Sequence, residues 1–135
     1  MSICLEKALN ILDKAKIKAN ELGASMSFAI FNCEQDLILF QKMDKCDGLS
    51  AKLAQAKAIT ALKINNDTEN VSYLVLKNEG ILCGIRYDTS LSLIGGGKII
   101  YENGLVVGAI GVSGGSEAED VTVAAAALSN DPINS

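Results

Sequence analysis

Two apolar runs flank the dipeptide Asn103-Gly104, and no natural pair is better suited to the two successive positive φ angles of a type I′ turn. Lys98 to Glu102 and Leu105 to Val112 are therefore predicted as the antiparallel strands of a tight hairpin. A lone hairpin cannot bury a face, so the rest of the chain must supply further strands and covering helices. The next residues are equally directive. Ser113-Gly114-Gly115-Ser116 leads into Glu117 to Leu128, an alanine-rich stretch predicted as a helix, and Ser116 with Glu119 has the spacing of a capping box.

Upstream, Leu5, Ala8, Leu9, Leu12, Ala15, Ala19 and Leu22 recur at helical spacing, with Gly23 as a stop, so residues 3–22 read as an amphipathic helix. Met26, Phe28 and Ile30 alternate with small residues as a strand. Leu37 to Met43 supplies its hairpin partner across the polar turn from Cys33 to Asp36. Leu49 to Lys63 reads as a helix whose alanines permit close approach to a sheet, ended by Asn65-Asn66-Asp67. A short helix is expected from Thr68 to Lys77, and Asn78-Glu79-Gly80 leads into a strand from Ile81 to Tyr87. The readable connections are hairpins, which predicts an α/β protein of α+β type: one antiparallel sheet of about five strands with helices packed on it. A length of 135 residues suits a single domain over 1–135.

Composition narrows the function. The net charge of −4 comes without a basic run, so neither nucleic acid nor an anionic membrane is an expected partner. The longest uncharged apolar stretch, 104–116, is interrupted by glycines and too short to span a bilayer. The N-terminus lacks the pattern of a secretory signal, and a cytoplasmic location is expected. Cys4, Cys33, Cys46 and Cys83 are widely spaced, with no Cys-x-x-Cys pair and no histidine anywhere. Structural zinc is therefore not expected, and the thiols should be reduced and act as small hydrophobes.

Three glycine patterns invite functional readings. Gly111-Val112-Ser113-Gly114-Gly115 matches G-x-S-x-G, but a serine nucleophile needs a base and no histidine exists to serve. A dinucleotide fingerprint fails because Gly108 and Gly111 fall within a strand rather than after it. A phosphate loop at Gly95-Gly96-Gly97-Lys98 fails because Ser92 replaces its first glycine and Ile99 its magnesium ligand. What remains is a backbone nest: the amides of Gly114, Gly115 and Ser116 at a helix N-terminus, facing the Gly95 to Gly97 cluster, are suited to a carboxylate or phosphate. The competing reading is that Ser116 and Glu119 already satisfy those amides. Lys57, Lys98 and Arg86 are candidate anion partners, although a lysine placed as Lys57 is on its helix more often faces solvent than serves a site. Asp120, beside the glycine loop, is the first candidate for acid-base work, with Lys57 as its alternative. Glu117, Glu119 and Asp120 also suit the positive end of the helix dipole.

Lys42-Met43-Asp44, Lys57-Ala58-Ile59-Thr60-Ala61, Gly95-Gly96 and above all Val107 to Gly115 followed by Glu119-Asp120 resemble the GlcG/HbpS/PduO-C-terminal family over residues 3–130. The resemblance implies a profilin-like, three-layer α/β/α fold with a five-stranded antiparallel sheet. It also implies homo-oligomers, as dimers or larger even-numbered assemblies, and an association with haem or, through adenosyltransferases, with corrinoids. A histidine ligand to haem has no counterpart here, and the proline that usually follows the Gly-Gly pair is Gly97 or Lys98. Haem would need Met26, Met43, a cysteine, a tyrosine, a lysine or a hydroxyl as its axial partner. The leading expectation is a small-ligand-binding or accessory protein without catalysis of its own. The alternatives are a small-metabolite enzyme using Asp120 or Lys57, and a structural subunit of a metabolic assembly.

Overall fold

The computed structural model describes residues 1–70, 77–80, 83 and 90–129. Helix α1 (Leu5–Glu21) buries Ala8, Ile11, Leu12, Ala15 and Ala19, the stripe that three- and four-residue spacing produces. Gly23, at φ 68°, turns the chain out of it. Strands β1 (Ser27–Asn32) and β2 (Leu37–Lys42) form the expected antiparallel hairpin. Its turn is fixed by the Asn32 side chain, which accepts from the amides of Glu34 and Asp36. Helix α2 (Gly48–Ile64) starts at Asp47, whose carboxylate accepts from Ser50 N at 2.7 Å, and ends at Asn65 in the left-handed region.

Strands β3 (Gly97–Glu102) and β4 (Leu105–Ser113) form the hairpin predicted around Asn103-Gly104, whose φ values of 52° and 77° are those of a type I′ turn. Helix α3 (Glu117–Leu128) follows with the predicted capping box complete in both directions. The strands run antiparallel in the order β2-β1-β4-β3. One face packs Phe28, Ile30, Ile100, Ile110 and Val112 against α1 and α3; the other packs Ala29, Phe31, Ile99 and Ala109 against the alanines of α2. The layering is thus α/β/α, with helices on both faces of the sheet.

The sheet has four strands among the described residues rather than the expected five. The strand expected from Ile81 to Tyr87 lies outside the described residues except for Cys83, and there the backbone is helical, as it is at Glu79 and Gly80, which lead into it. A short apolar run carries no periodicity that separates strand from buried helix. Of the helix expected over 68–77, Thr68–Asn70 is a single 3-10 turn.

The glycines of the C-terminal hairpin have a packing role. Gly97 and Gly111 are direct cross-strand partners, and both lie under α2. A Cβ on Gly111 would collide with the carbonyl oxygen of Ala54, and one on Gly97 with that of Lys57. The helix therefore rests on bare sheet backbone, closer than any side chain would allow.

Candidate functional site

The site is built where β4 hands over to α3. Gly114, at φ +132°, reverses the chain past the Ser25 carbonyl, so that Asp120, one turn into α3, lies beneath the loop. Its Oδ1 accepts from Gly115 N at 3.0 Å and its Oδ2 from Lys57 Nζ at 2.9 Å. Lys57 arrives from the middle of α2, and its ammonium also donates to the Val112 carbonyl at 2.9 Å. Val112 N in turn donates to Gly96 O at 2.9 Å, which seats the second glycine loop on the same spot. At Gly96, φ is +125° and a Cβ would come within 3.0 Å of Lys57 Nζ.

Lys57 and Asp120 are 1% and 3% exposed. Burial pushes the Asp120 carboxyl above its usual range, while the hydrogen bond and charge of Lys57 pull the other way. Each charge has a hydrogen-bonded counterpart, the condition under which a buried ion pair is tolerated.

The expected anion nest is not open. Gly115 N is taken by Asp120, Ser116 N by Glu119 Oε1 at 2.9 Å, and Gly95 N by Glu117 Oε1 at 2.9 Å. Gly97 N donates to Thr68 Oγ1 at 2.8 Å. The acids of the first helical turn thus supply from within the chain the negative charge that an external carboxylate or phosphate was expected to bring. Of the residues named from sequence, Lys57, Gly95, Gly96, Ser113, Gly114, Gly115 and Asp120 meet here. Lys98 turns away and pairs with Asp67 at 2.9 Å, and Arg86 lies outside the described residues. Lys57, for which a solvent-facing position was the competing expectation, is buried because its helix lies against backbone at Gly97 and Gly111.

Above the ion pair opens a cleft of about 370 Å³, whose wall includes Asp47, Ser50, Leu53, Ile94, Ser113 and Glu117. Asp47 caps α2, and the bonds it accepts from Ser50 hold its carboxyl below the usual range. Ser113 is 3% exposed, and its hydroxyl has no hydrogen-bond partner among the described residues. Asp47, Ser50, Leu53 and Ile94 were not singled out from sequence. An N-cap aspartate three residues before Ser50 was readable, but its proximity to α3 was not. Among the described residues no group of His, Cys, Asp and Glu side chains could hold a metal ion, and no helix is long and apolar enough to cross a membrane.

Residues 3–129 match the family described as haem degrading protein HbpS-like. The chain belongs to the HbpS-like family. Among its relatives is an uncharacterized 15.0 kDa protein encoded in the dhaT-dhaS intergenic region of Citrobacter freundii, 29% identical over 94% of this chain and 90% of that protein. The crystal structure of Klebsiella pneumoniae ORFY is 26% identical with a TM-score of 0.86, covering 93% of this chain and 88% of that one. A crystal structure of PduOC in complex with haem shares the fold at a TM-score of 0.86 and 22% identity, over 95% of this chain and 94% of that one. This HbpS-like chain therefore carries its cleft on a fold that recurs in a haem complex.

Proposed function

We propose that this HbpS-like protein is a small-ligand-binding module, with its ligand seated in the cleft over Lys57 and Asp120. The observation that carries this reading is the ion pair itself, 1% and 3% exposed, forming the floor of a cleft of about 370 Å³. Lys57 is held by Asp120 and a carbonyl, and Asp120 by Lys57 and an amide. Two groups that neutralise each other are a rigid polar floor rather than an acid and a base awaiting a proton. That favours binding over turnover by Asp120 or Lys57.

Haem is the ligand a relative brings to mind, and this cleft does not suit it. The sequence has no imidazole, the Lys57 ammonium is already engaged, and three carboxylates against one lysine line the walls, which repels propionates. Met26 is fully buried, the Met43 thioether faces Met26 N at 3.4 Å, and the Cys46 thiol contacts the Ser27 hydroxyl at 3.3 Å. A groove of about 350 Å³ beside Phe31, Ala56 and Ile59 has Lys52 and Ser90 in its lining, which gives it an apolar wall and a cation but no imidazole, thiolate or thioether to hold the iron.

Self-association into an even-numbered assembly is supported by β2, an edge strand of the described sheet on which Leu37 and Phe40 remain 47% and 37% exposed.

Thermal unfolding with a panel of small metabolites tests the binding reading, because a ligand of the folded state raises Tm by mass action. The expected result is a shift for some members that disappears in Ile94→Trp, a bulky change at a 44% exposed rim position. Equal shifts in both proteins, or none in either, would remove the cleft from consideration.

A further inference from the structure

We propose that the cleft selects a small primary amine, bound as its ammonium ion, and rejects carboxylates; this rests on the cleft being the ligand site. The charge count comes first. Asp47, Glu117, Asp120 and Lys57 line the cleft, and Lys57 is matched to Asp120. Two carboxylates, Asp47 and Glu117, are left facing the opening.

The features that would attract an anion are already used internally. The amides of Gly115 and Ser116 at the start of α3 donate to Asp120 and Glu119, the loop amide of Gly95 donates to Glu117, and Asp47 closes the start of α2. Each half-charge of helix dipole is thus outweighed by a full negative charge of the chain itself. Lys42 acts on Asp47 from its flank but does not line the cleft. An entering carboxylate meets like charge, whereas an entering ammonium meets two acceptors of opposite sign.

The second observation is independent of the acids. Ser113 is 3% exposed, borders the cleft, and its hydroxyl has no partner among the described residues. No fully buried side-chain oxygen among the described residues lacks a partner, so the Ser113 oxygen, unpaired within the chain, keeps contact with solvent, and an N–H donor entering the cleft can take the place of that water. An ammonium has three donors and no acceptor, so one N–H can go to Ser113 Oγ and the others to the carboxylates. Leu53 and Ile94 supply apolar wall for a short alkyl tail.

Amide NMR titrations of the full chain at neutral pH with n-butylamine, butyrate and n-butanol test this directly, since the three probes share a tail and differ in charge. The amine is expected to move the amides from Ser113 to Asp120 and to bind about tenfold or more tightly than butyrate, about 1.4 kcal/mol. Glu117→Gln combined with Asp47→Asn keeps the acceptors for Gly95 and Ser50, so folding is preserved, and is expected to abolish the preference. Ser113→Ala is expected to weaken the amine several-fold. Butyrate or butanol binding in the cleft as tightly as the amine, or a preference that survives in the Gln/Asn variant, overturns the charge assignment and leaves the cleft standing. If none of the probes moves those amides, both this inference and the cleft as ligand site are lost.

Discussion

Lys57 Nζ and Asp120 Oδ2 meet at 2.9 Å across 63 residues of sequence, and this contact joins α2 on one face of the sheet to the start of α3 on the other. An amphipathic helix is not expected to bury a lysine at 1% exposure. It does so because the sheet beneath is glycine, and the long methylene stem reaches past it to a carboxylate.

Removing one member strands the other. Asp120→Ala or Lys57→Met alone should destabilise the fold by about 3–5 kcal/mol, while Lys57→Met with Asp120→Leu should recover most of that loss. Urea unfolding of the singles and the double gives the coupling directly. Additive losses would mean that the ion pair contributes no coupling in solution.

The cross-strand pair Gly97 and Gly111 should be as sensitive as any core residue. A methyl at Gly111 meets the Ala54 carbonyl, so α2 must lift or the strand must bend, and Gly111→Ala should cost about 1–3 kcal/mol or more. Gly48, the first residue of α2, has nothing within 4 Å of a built Cβ. Gly48→Ala should be neutral or stabilising by about 0.4–1 kcal/mol. Equal Tm values for the two variants would contradict the close approach of helix and sheet.

Much of this architecture was legible in the sequence. The Asn103-Gly104 turn, the Ser116 and Glu119 capping box, the first hairpin and the helix stop at Gly23 each rest on local chemistry, and local chemistry is what spacing reports. At Thr68–Asn70 and Cys83 the backbone departs from the expected helix and strand, because a short apolar run has no periodicity to tell one from the other, and the rest of that stretch lies outside the described residues. The candidate site was half legible. Asp120 and the glycine loops stood out, but the joining of Asp120 to Lys57 is a non-local contact across the sheet that no spacing encodes. The capping of Ser116 N by Glu119 was present in the sequence as the competing reading and the geometry bears it out, whereas the bonds from Gly95 N to Glu117 and from Gly115 N to Asp120 were not foreseen.

The two perturbed carboxyls should leave opposite marks on stability against pH. The Asp47 carboxyl is held low by the amide and hydroxyl of Ser50, so its contribution is complete above the ordinary aspartate pKa and is lost as pH falls through its lowered folded value. The Asp120 carboxyl is held high by burial. Between its ordinary and folded values the native state keeps a proton that the unfolded state has released, so its contribution to stability declines as pH rises through that window. Denaturation curves from mildly acidic pH downward should therefore lose one slope in Asp47→Asn and the opposite slope in Asp120→Asn. Identical pH profiles for wild type and both variants would contradict the two environments.

Haem added to this chain should show what the sequence lacks. Relatives of this fold include a haem complex, yet no histidine is present, and the thioether and thiol nearest the sheet are packed or hydrogen-bonded at Met26, Met43 and Cys46. Ferric haem mixed with the purified protein is expected to give no imidazole-type low-spin spectrum. Its open axial positions should respond at once to added imidazole, because ligand identity sets the spectrum and no internal nitrogen base of that kind competes. Absorption titration with and without imidazole reads this out. A six-coordinate low-spin spectrum that resists imidazole would mean that the packing around Met43 or Cys46 opens to put sulfur on the iron, and substituting each in turn by serine or leucine would identify which.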